Sequence, residues 1–348
     1  MNIPPNIIPP SVQALVQNSV QDLASGAANP VIVRFAPSPT GFLHLGNVFS
    51  ALFTCAHVLG DGGLGDGAEH SGRFILRIED IDTTRCRPEY EQAIYDDLHW
   101  LGLNWEEPVR RQSDHFDVYA GYIDALARRG LVYPCFCTRK DIAQAQNDLR
   151  AQGHAAMIGP DGATYPQTCR SLNPADAQNR IARGDAYALR LHVDAALAAV
   201  QGIDLGWTDL AQGRQNPLPH IFGDVVLARK DCPTSYHASV VIDDALQGVT
   251  LVTRGIDLFM ASHLHRLLQT LWGFDAPLYH HHPLLIDPDA KTHPVMSKRH
   301  GALCVHELRG AGKTAPQVLK MVADMGRIND PAAKQLSQSS MDDAQIEG

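Results

Sequence analysis

At 348 residues, with 45% hydrophobic and 19% charged residues, the chain has room for two or three modules and a sizeable core. Its net charge of −9 argues against broad nonspecific nucleic-acid binding, and no DNA partner is expected, although Arg110-Arg111, Arg128-Arg129 and Lys298-Arg299-His300 allow a local basic face. No apolar run approaches membrane-spanning length, no basic-then-apolar secretory pattern opens the sequence, and seven scattered cysteines make no disulfide framework, so a cytoplasmic protein without a membrane partner is expected.

Residues 1–29, with two proline pairs and a weakly helical polar segment, read as a flexible extension. Val31-Ile-Val33 reads as a buried strand and Asn47 to Leu59 as an apolar helix. The stretch between, Arg34-Phe-Ala-Pro-Ser-Pro-Thr-Gly-Phe-Leu-His-Leu-Gly46, is therefore a strand-to-helix crossing, stiffened by Pro37 and Pro39. Gly41 and Gly46 let backbone approach a ligand there. A helix N-terminus favours phosphate, and His44 stands where an imidazole could donate to one. The Gly-rich residues 60–67 match no phosphate-loop pattern and read as a surface insertion. Arg73 to Asp80 is a strand ending in acids, which places Glu79 to meet an amino group or simply to face solvent.

Helices follow at Glu89 to Leu101 and Asp117 to Arg129, the second ended by Gly130. A second module opens at Tyr133, with a helix over Asp141 to Gln152 and a loop over Gly153 to Gln167. Cys135, Cys137 and a distant Cys169 could close around a tetrahedral zinc, since thiolates favour that ion over magnesium or calcium; His154 is a local candidate for the fourth position. Tyr187 to His192 alternates as a strand, and Ile221 to Ile242 reads as a hairpin whose second strand starts at Tyr236. A strand over Gly248 to Thr253 and a helix over Ser262 to Trp272 come next, and His280-His281-His282 read as ordinary loop or strand residues. A short helix is expected at Ala315 to Met325, and a disordered tail over 332–348. The strand–helix alternation over 30–130 and 185–272 predicts a split α/β Rossmann-type parallel sheet, with 131–184 inserted as a zinc-binding α+β module and 273–331 following.

The crossing resembles the His-x-Gly-His region of class I aminoacyl-tRNA synthetases in its glutamyl form. Glu79-Asp80-x-Asp82, His99 to Trp105 and Tyr236 to Asp244 resemble further segments of that family, and Met296-Ser297-Lys298 resembles its Lys-Met-Ser-Lys-Ser signature, with Val295 in place of the first lysine. The resemblance implies amino-acid activation, in which a carboxylate attacks the α-phosphate of ATP and pyrophosphate leaves, with Mg²⁺ accompanying ATP. His44 and Lys298 would be the catalytic residues; these two and Gly46 would bind ATP. Glutamate would be held by Arg34, Phe35, Ala36, Pro37, Ser38, Glu79, Tyr236 and Arg254, the two guanidinium groups gripping carboxylates.

Cys-x-Cys with Tyr165-x-x-x-Cys169 looks like the zinc site of the glutamyl-Q tRNA(Asp) synthetase family, which implies one structural zinc on Cys135, Cys137, Tyr165 and Cys169. The resemblance covers roughly residues 31–310 and does not extend to the helical anticodon-binding part of full glutamyl-tRNA synthetases. It implies glutamate activation without tRNA, then transfer to queuosine at the wobble position of tRNA(Asp), by a chain expected to be a monomer. The rivals are a shortened glutamyl-tRNA synthetase that charges tRNA(Glu) and a noncatalytic paralogue that binds tRNA or a partner.

Overall fold

The computed structural model describes residues 30–58, 72–155, 157–285 and 303–326. The expected extension at 1–29, loop at 60–67, signature residues Val295 to Arg299 and tail at 332–348 lie outside the described residues. Strand β1 (Val31–Phe35) leads to helix α1 (Leu45–Ala56), followed by β2 (Gly72–Ile78), α2 (Pro88–Trp100), β3 (Glu106–Arg111) and α3 (Phe116–Arg128). The middle of the chain forms β4 (Val132–Cys135), α4 (Arg139–Ala151), a small hairpin of β5 (Ile158–Gly159) and β6 (Gly162–Ala163), α5 (Pro174–Ala182), β7 (Ala188–Leu191), α6 (Val193–Ala199), β8 (Trp207–Asp209), β9 (Gly213–Gln215) and β10 (Val226–Ala228). The remaining elements are α7 (Tyr236–Leu246), β11 (Leu251–Gly255), α8 (Ala261–Trp272), β12 (Leu278–His282), α9 (Val305–Gly310) and α10 (Ala315–Gly326).

β1, β2 and β3 pair in parallel, as do β11, β12 and β8, with β9 antiparallel at the edge. The two sets join where Thr250 N–H donates to the Ile32 carbonyl at 3.0 Å and Ile32 N–H donates to Thr250 Oγ1 at 2.9 Å. The strand order is thus β3-β2-β1-β11-β12-β8. It reverses direction between β1 and β11, and in such sheets the ligand crevice lies at that switch, beyond the carboxyl ends of the strands. The tight β1–β2 pairing requires Gly72, because a Cβ there would lie 2.2 Å from the Val31 carbonyl oxygen. The apolar face of α1, with Val48, Phe49, Leu52 and Phe53 all buried, packs on this sheet with Val318 and Val322 of α10.

Three elements differ from expectation, the smallest being the β5–β6 hairpin, which lies inside the loop expected over Gly153 to Gln167. Residues 236–246 form a helix, not the second strand of a hairpin. The Val240-Val241-Ile242 run has strand propensity, but all seven residues from Ala238 to Asp244 are buried. A helix enclosed on every side has no polar stripe to reveal its period, and its packing overrides the weak propensity cost of the β-branched residues. Its supposed partner β10 pairs instead with β7, which pairs with β4, in an antiparallel three-stranded sheet. The strand expected near 187–192 therefore lies in this second sheet and not in the parallel one.

Candidate active site and metal centre

A cavity of about 480 Å³ opens at the switch between β1 and β11. Arg34, Phe35, Ala36, Pro37 and Ser38 leave the end of β1 along one wall, and His44 and Gly46 come from the start of α1. Glu79 follows β2, Tyr236 starts α7, and Arg254 ends β11. Ten of the eleven residues expected at glutamate or ATP thus come together around one space, contributed by five separate segments. The eleventh, Lys298, lies outside the described residues. On either side of it, Leu285 lines the cavity and the Leu303 carbonyl accepts from Leu45 N–H.

The crossing is held by backbone bonds that keep it close to β2: Glu79 N–H donates to the Pro37 carbonyl, and Arg87 N–H to the Pro39 carbonyl, both at 3.0 Å. His44 caps α1. Its Nδ1 accepts from Asn47 N–H at 3.3 Å, while Asn47 Oδ1 accepts from His44 N–H at 3.1 Å, a reciprocal capping box. With Nδ1 an acceptor, the neutral imidazole carries its proton on Nε2.

Arg34 is buried, with Nε donating to Asp244 Oδ1 at 2.9 Å and Nη1 to the Thr253 carbonyl at 2.8 Å. Asp244 also accepts from Arg77 Nη1 at 2.8 Å, and Arg77 Nη2 reaches Glu79 Oε1 at 3.2 Å. Neighbouring Asp243 accepts from Arg110, Gln112 and Tyr119. Successive helical residues project about 100° apart, so one aspartate faces the cavity wall while the next faces β3 and α3. Burial would raise the Asp244 carboxyl, but Arg34 and Arg77 outweigh it and hold it below the usual carboxylate range. Burial does raise Glu79, against the pull of Arg77 and Arg34.

Arg254 differs from Arg34. It is equally buried, yet its partners are neutral: His281, His265, Ser262 and Tyr236. Among the described residues no carboxylate lies within 4.0 Å of its guanidinium. The cavity wall therefore carries one guanidinium neutralised by an ion pair and one whose charge faces no direct counter-ion among the described residues.

Sequence reasoning missed Arg77, Asp244, Asp209 and His281. Arg77 left a trace, since an arginine inside the apolar run Phe74-Ile-Leu-Arg-Ile78 implies a buried anion. Asp243-Asp244 left another, a charged pair closing an apolar run. For His281 the sequence held no signal, because its partner Asp209 lies 72 residues away.

The second centre brings Cys135, Cys137 and Cys169 together, with all three sulfur atoms within 4.8 Å of one another. The Tyr165 hydroxyl lies 3.3 Å from Cys135 Sγ and 3.4 Å from Cys137 Sγ, and Cys137 and Cys169 are 3.4 Å apart. Metal–ligand bonds of zinc-like length would give a tetrahedron with edges of about 3.5–3.8 Å, close to the three separations of 3.3–3.4 Å just given, so the cluster has the size that one ion needs. Cys169 N–H donates to the Tyr165 oxygen at 2.9 Å, and the Arg190 guanidinium lies 3.8 Å from the Tyr165 ring centroid. The exposed His154 is not part of this cluster. The cluster could hold one metal ion.

Comparison with known proteins gives concordant results. Residues 30–342 match the family model described as tRNA synthetases class I (E and Q), catalytic domain. The chain is 42% identical over 301 residues to the glutamyl-Q tRNA(Asp) synthetase of Rhodobacter capsulatus, covering 84% of this chain and 99% of that protein. It is 33% identical to the glutamate–tRNA ligase of Hydrogenobaculum sp., covering 88% of this chain but 60% of the relative. Among solved structures, the glutamate tRNA ligase of Elizabethkingia meningosepticum in complex with its amino acid matches with a TM-score of 0.62 at 29% identity; the match covers 78% of this chain and about half, 53%, of that one. The chain belongs to the class I tRNA synthetases of the E and Q type, a family of ligases that includes the relatives named glutamyl-Q tRNA(Asp) synthetase.

Proposed function

We propose that the chain activates L-glutamate with ATP to glutamyl-adenylate and transfers the glutamyl group to queuosine at the wobble position of tRNA(Asp). In the first step a glutamate carboxylate oxygen bonds to the α-phosphorus and pyrophosphate leaves. In the second a queuosine hydroxyl attacks the activated carbonyl and AMP leaves. Both substrates of the first step are anionic, so positioning and fixed positive charge do the work.

The observation that carries this reading is Arg254, a buried guanidinium whose partners among the described residues are all neutral, at the wall of a ligand-sized cavity. It suits one carboxylate of glutamate. Arg34, with Nε and Nη1 already engaged, offers Nη2 to the other. Glu79 takes the ammonium, with Ser38 and Tyr236 beside it, and Phe35, Ala36 and Pro37 form the backbone wall. His44, as an Nε2 donor, and Gly46 serve the phosphates of ATP, which brings Mg²⁺; Lys298 serves the pyrophosphate. Cys135, Cys137, Tyr165 and Cys169 hold one structural zinc, which three thiolates favour. The division into a catalytic body, 30–130 and 185–272, with 131–184 inserted, is part of this proposal, with the antiparallel sheet β4–β7–β10 joining the two.

A second function is favoured by the relatives named glutamate–tRNA ligase: charging of tRNA(Glu). The test is transfer of labelled glutamate to queuosine-containing tRNA(Asp) and to tRNA(Glu). Label on tRNA(Asp) that is lost without queuosine is expected. Label on tRNA(Glu) alone would replace the proposal with the second function, and failure of glutamate-dependent ATP–pyrophosphate exchange would reject both.

A further inference from the structure

The neutral partners of Arg254 are themselves anchored. His281, on β12 beside β11, places Nε2 3.0 Å from Arg254 Nε and Nδ1 2.7 Å from Asp209 Oδ2. Arginine has no acceptor, so Nε2 must accept, and the ring proton must sit on Nδ1, where the carboxylate takes it. Asp209 is locked in turn: its Oδ2 also accepts from His281 N–H at 3.1 Å, and its Oδ1 from Ala211 and Gln212 N–H, each at 2.9 Å. Ser262 completes the frame, accepting from Arg254 Nη2 at 2.7 Å. Asp209, His281 and Arg254 are all buried, so water is poorly placed to stand in for a lost partner.

The chemistry explains why an imidazole stands between carboxylate and guanidinium. A carboxylate bonded directly to Arg254 would aim it but would also cancel its charge and occupy the fork that a substrate carboxylate needs. A neutral imidazole aims the guanidinium by one directed bond and leaves its charge uncompensated at contact distance. The carboxylate behind it fixes which ring nitrogen carries the proton. On the same guanidinium, His265 Nδ1 lies 3.2 Å from Nη1 and its Nε2 lies 3.0 Å from His237 Nδ1, so the second imidazole contact has the same sense.

We infer that Asp209 and His281 are positioning residues that fix the imidazole tautomer and thereby aim the Arg254 guanidinium at a substrate carboxylate. This rests on the proposed glutamate site and deepens it. Replacing Asp209 by Asn keeps the shape and the acceptor for the Ala211 and Gln212 N–H groups but turns an amide donor toward His281 Nδ1. The imidazole proton then moves to Nε2, where it opposes the Arg254 N–H. Loss of the orienting carboxylate by Asp-to-Asn exchange is known to trap a wrong histidine tautomer in other enzymes.

The test is ATP–pyrophosphate exchange of the full chain with Asp209→Asn and, as a second variant, His281→Gln, alongside ¹⁵N NMR of histidine-labelled protein. For Asp209→Asn, KM for glutamate should rise at least tenfold with KM for ATP changed less than twofold, and the His281 signals should switch from the Nδ1–H to the Nε2–H form. For His281→Gln, whose amide can both donate and accept, the rise in glutamate KM should be smaller than for His281→Leu. Unchanged glutamate KM, or equal rises for both substrates, would overturn the inference. If the wild type shows no exchange, the glutamate reading fails and the NMR decides the relay. Nδ1–H in the wild type and Nε2–H in Asp209→Asn would support it, and Nε2–H in the wild type would overturn it. If Asp209→Asn does not fold, the His281→Gln and His281→Leu comparison and the wild-type tautomer decide in the same way.

Discussion

Acid should unfold this protein unusually early, because five buried imidazoles are built to be neutral. His57 Nδ1 bonds the Phe53 carbonyl and its Nε2 faces His280 Nδ1 at 2.8 Å; His282 Nδ1 bonds the Pro283 carbonyl and its Nε2 faces Ser50 Oγ. In His57 the Nδ1–H donates to the carbonyl and Nε2 accepts from His280, so a second ring proton there would meet the His280 N–H; at His282 the Ser50 hydroxyl can turn to accept, and burial alone opposes the charge. Burial lowers His57 to about 3 and His263, His280, His281 and His282 to about 4. In the unfolded chain these groups titrate near 6.5. Between pH 6.5 and 4 the unfolded state therefore binds more protons, and stability falls as pH falls. At pH 5 one such imidazole taken singly favours unfolding by about 2 kcal/mol, and because His57, His280 and His282 interact the group together costs several kcal/mol, a large share of a domain's stability. Urea unfolding followed by circular dichroism from pH 7.5 to 4.5 should show stability constant above about pH 7 and then falling by several kcal/mol per pH unit. His282→Asn should reduce that slope by about 1.4 kcal/mol per pH unit, one imidazole's share. A flat profile between pH 7 and 5 would refute the reasoning.

Arg254→Ala should cut glutamate-dependent ATP–pyrophosphate exchange at least about a hundredfold, the scale of losing a buried charged contact, with the far-ultraviolet spectrum unchanged; wild-type exchange would reject its role. Asp244→Asn strips the shared anion from Arg34 and Arg77, and chemical denaturation should show a loss of about 3–5 kcal/mol, larger than any exposed carboxylate gives. Metal analysis of protein made without chelators should find about one zinc per chain, and Cys137→Ser should lower that content and loosen the inserted module to proteolysis. A metal-free wild type would remove the second centre.

The legible part of the site was the part written contiguously. Arg34 to Gly46 is one run, and a strand, a proline-stiffened crossing and a helix start are local events, so its cavity wall was visible from spacing. Strand ends such as Glu79 were visible for the same reason. What stayed hidden depends on partners far off in the chain. Nothing near His281 announces Asp209, and nothing near Val240 announces that a helix will be enclosed on all sides and so lose its polar stripe. The short strands β8 and β9 were missed because three residues carry too little alternation, and they are held by pairing rather than propensity.

The join between β1 and β11 also has a consequence for synthesis. Arg34 waits for Asp244, 210 residues later, and for Thr253, 219 residues later. At ribosomal speeds of about 5–20 residues per second, that interval is on the order of 10–40 s. During it β1 can pair with β2 but presents a bare edge on its other side, the kind of edge that recruits strands from neighbouring chains. The nascent chain thus carries an open slot that only its own later strand fills correctly, and the ligand cavity closes only when that slot does. Glutamate binding would therefore serve as a readout of completed synthesis: a stalled chain ending before β11 could hold much of its first sheet and still have nowhere to put the amino acid.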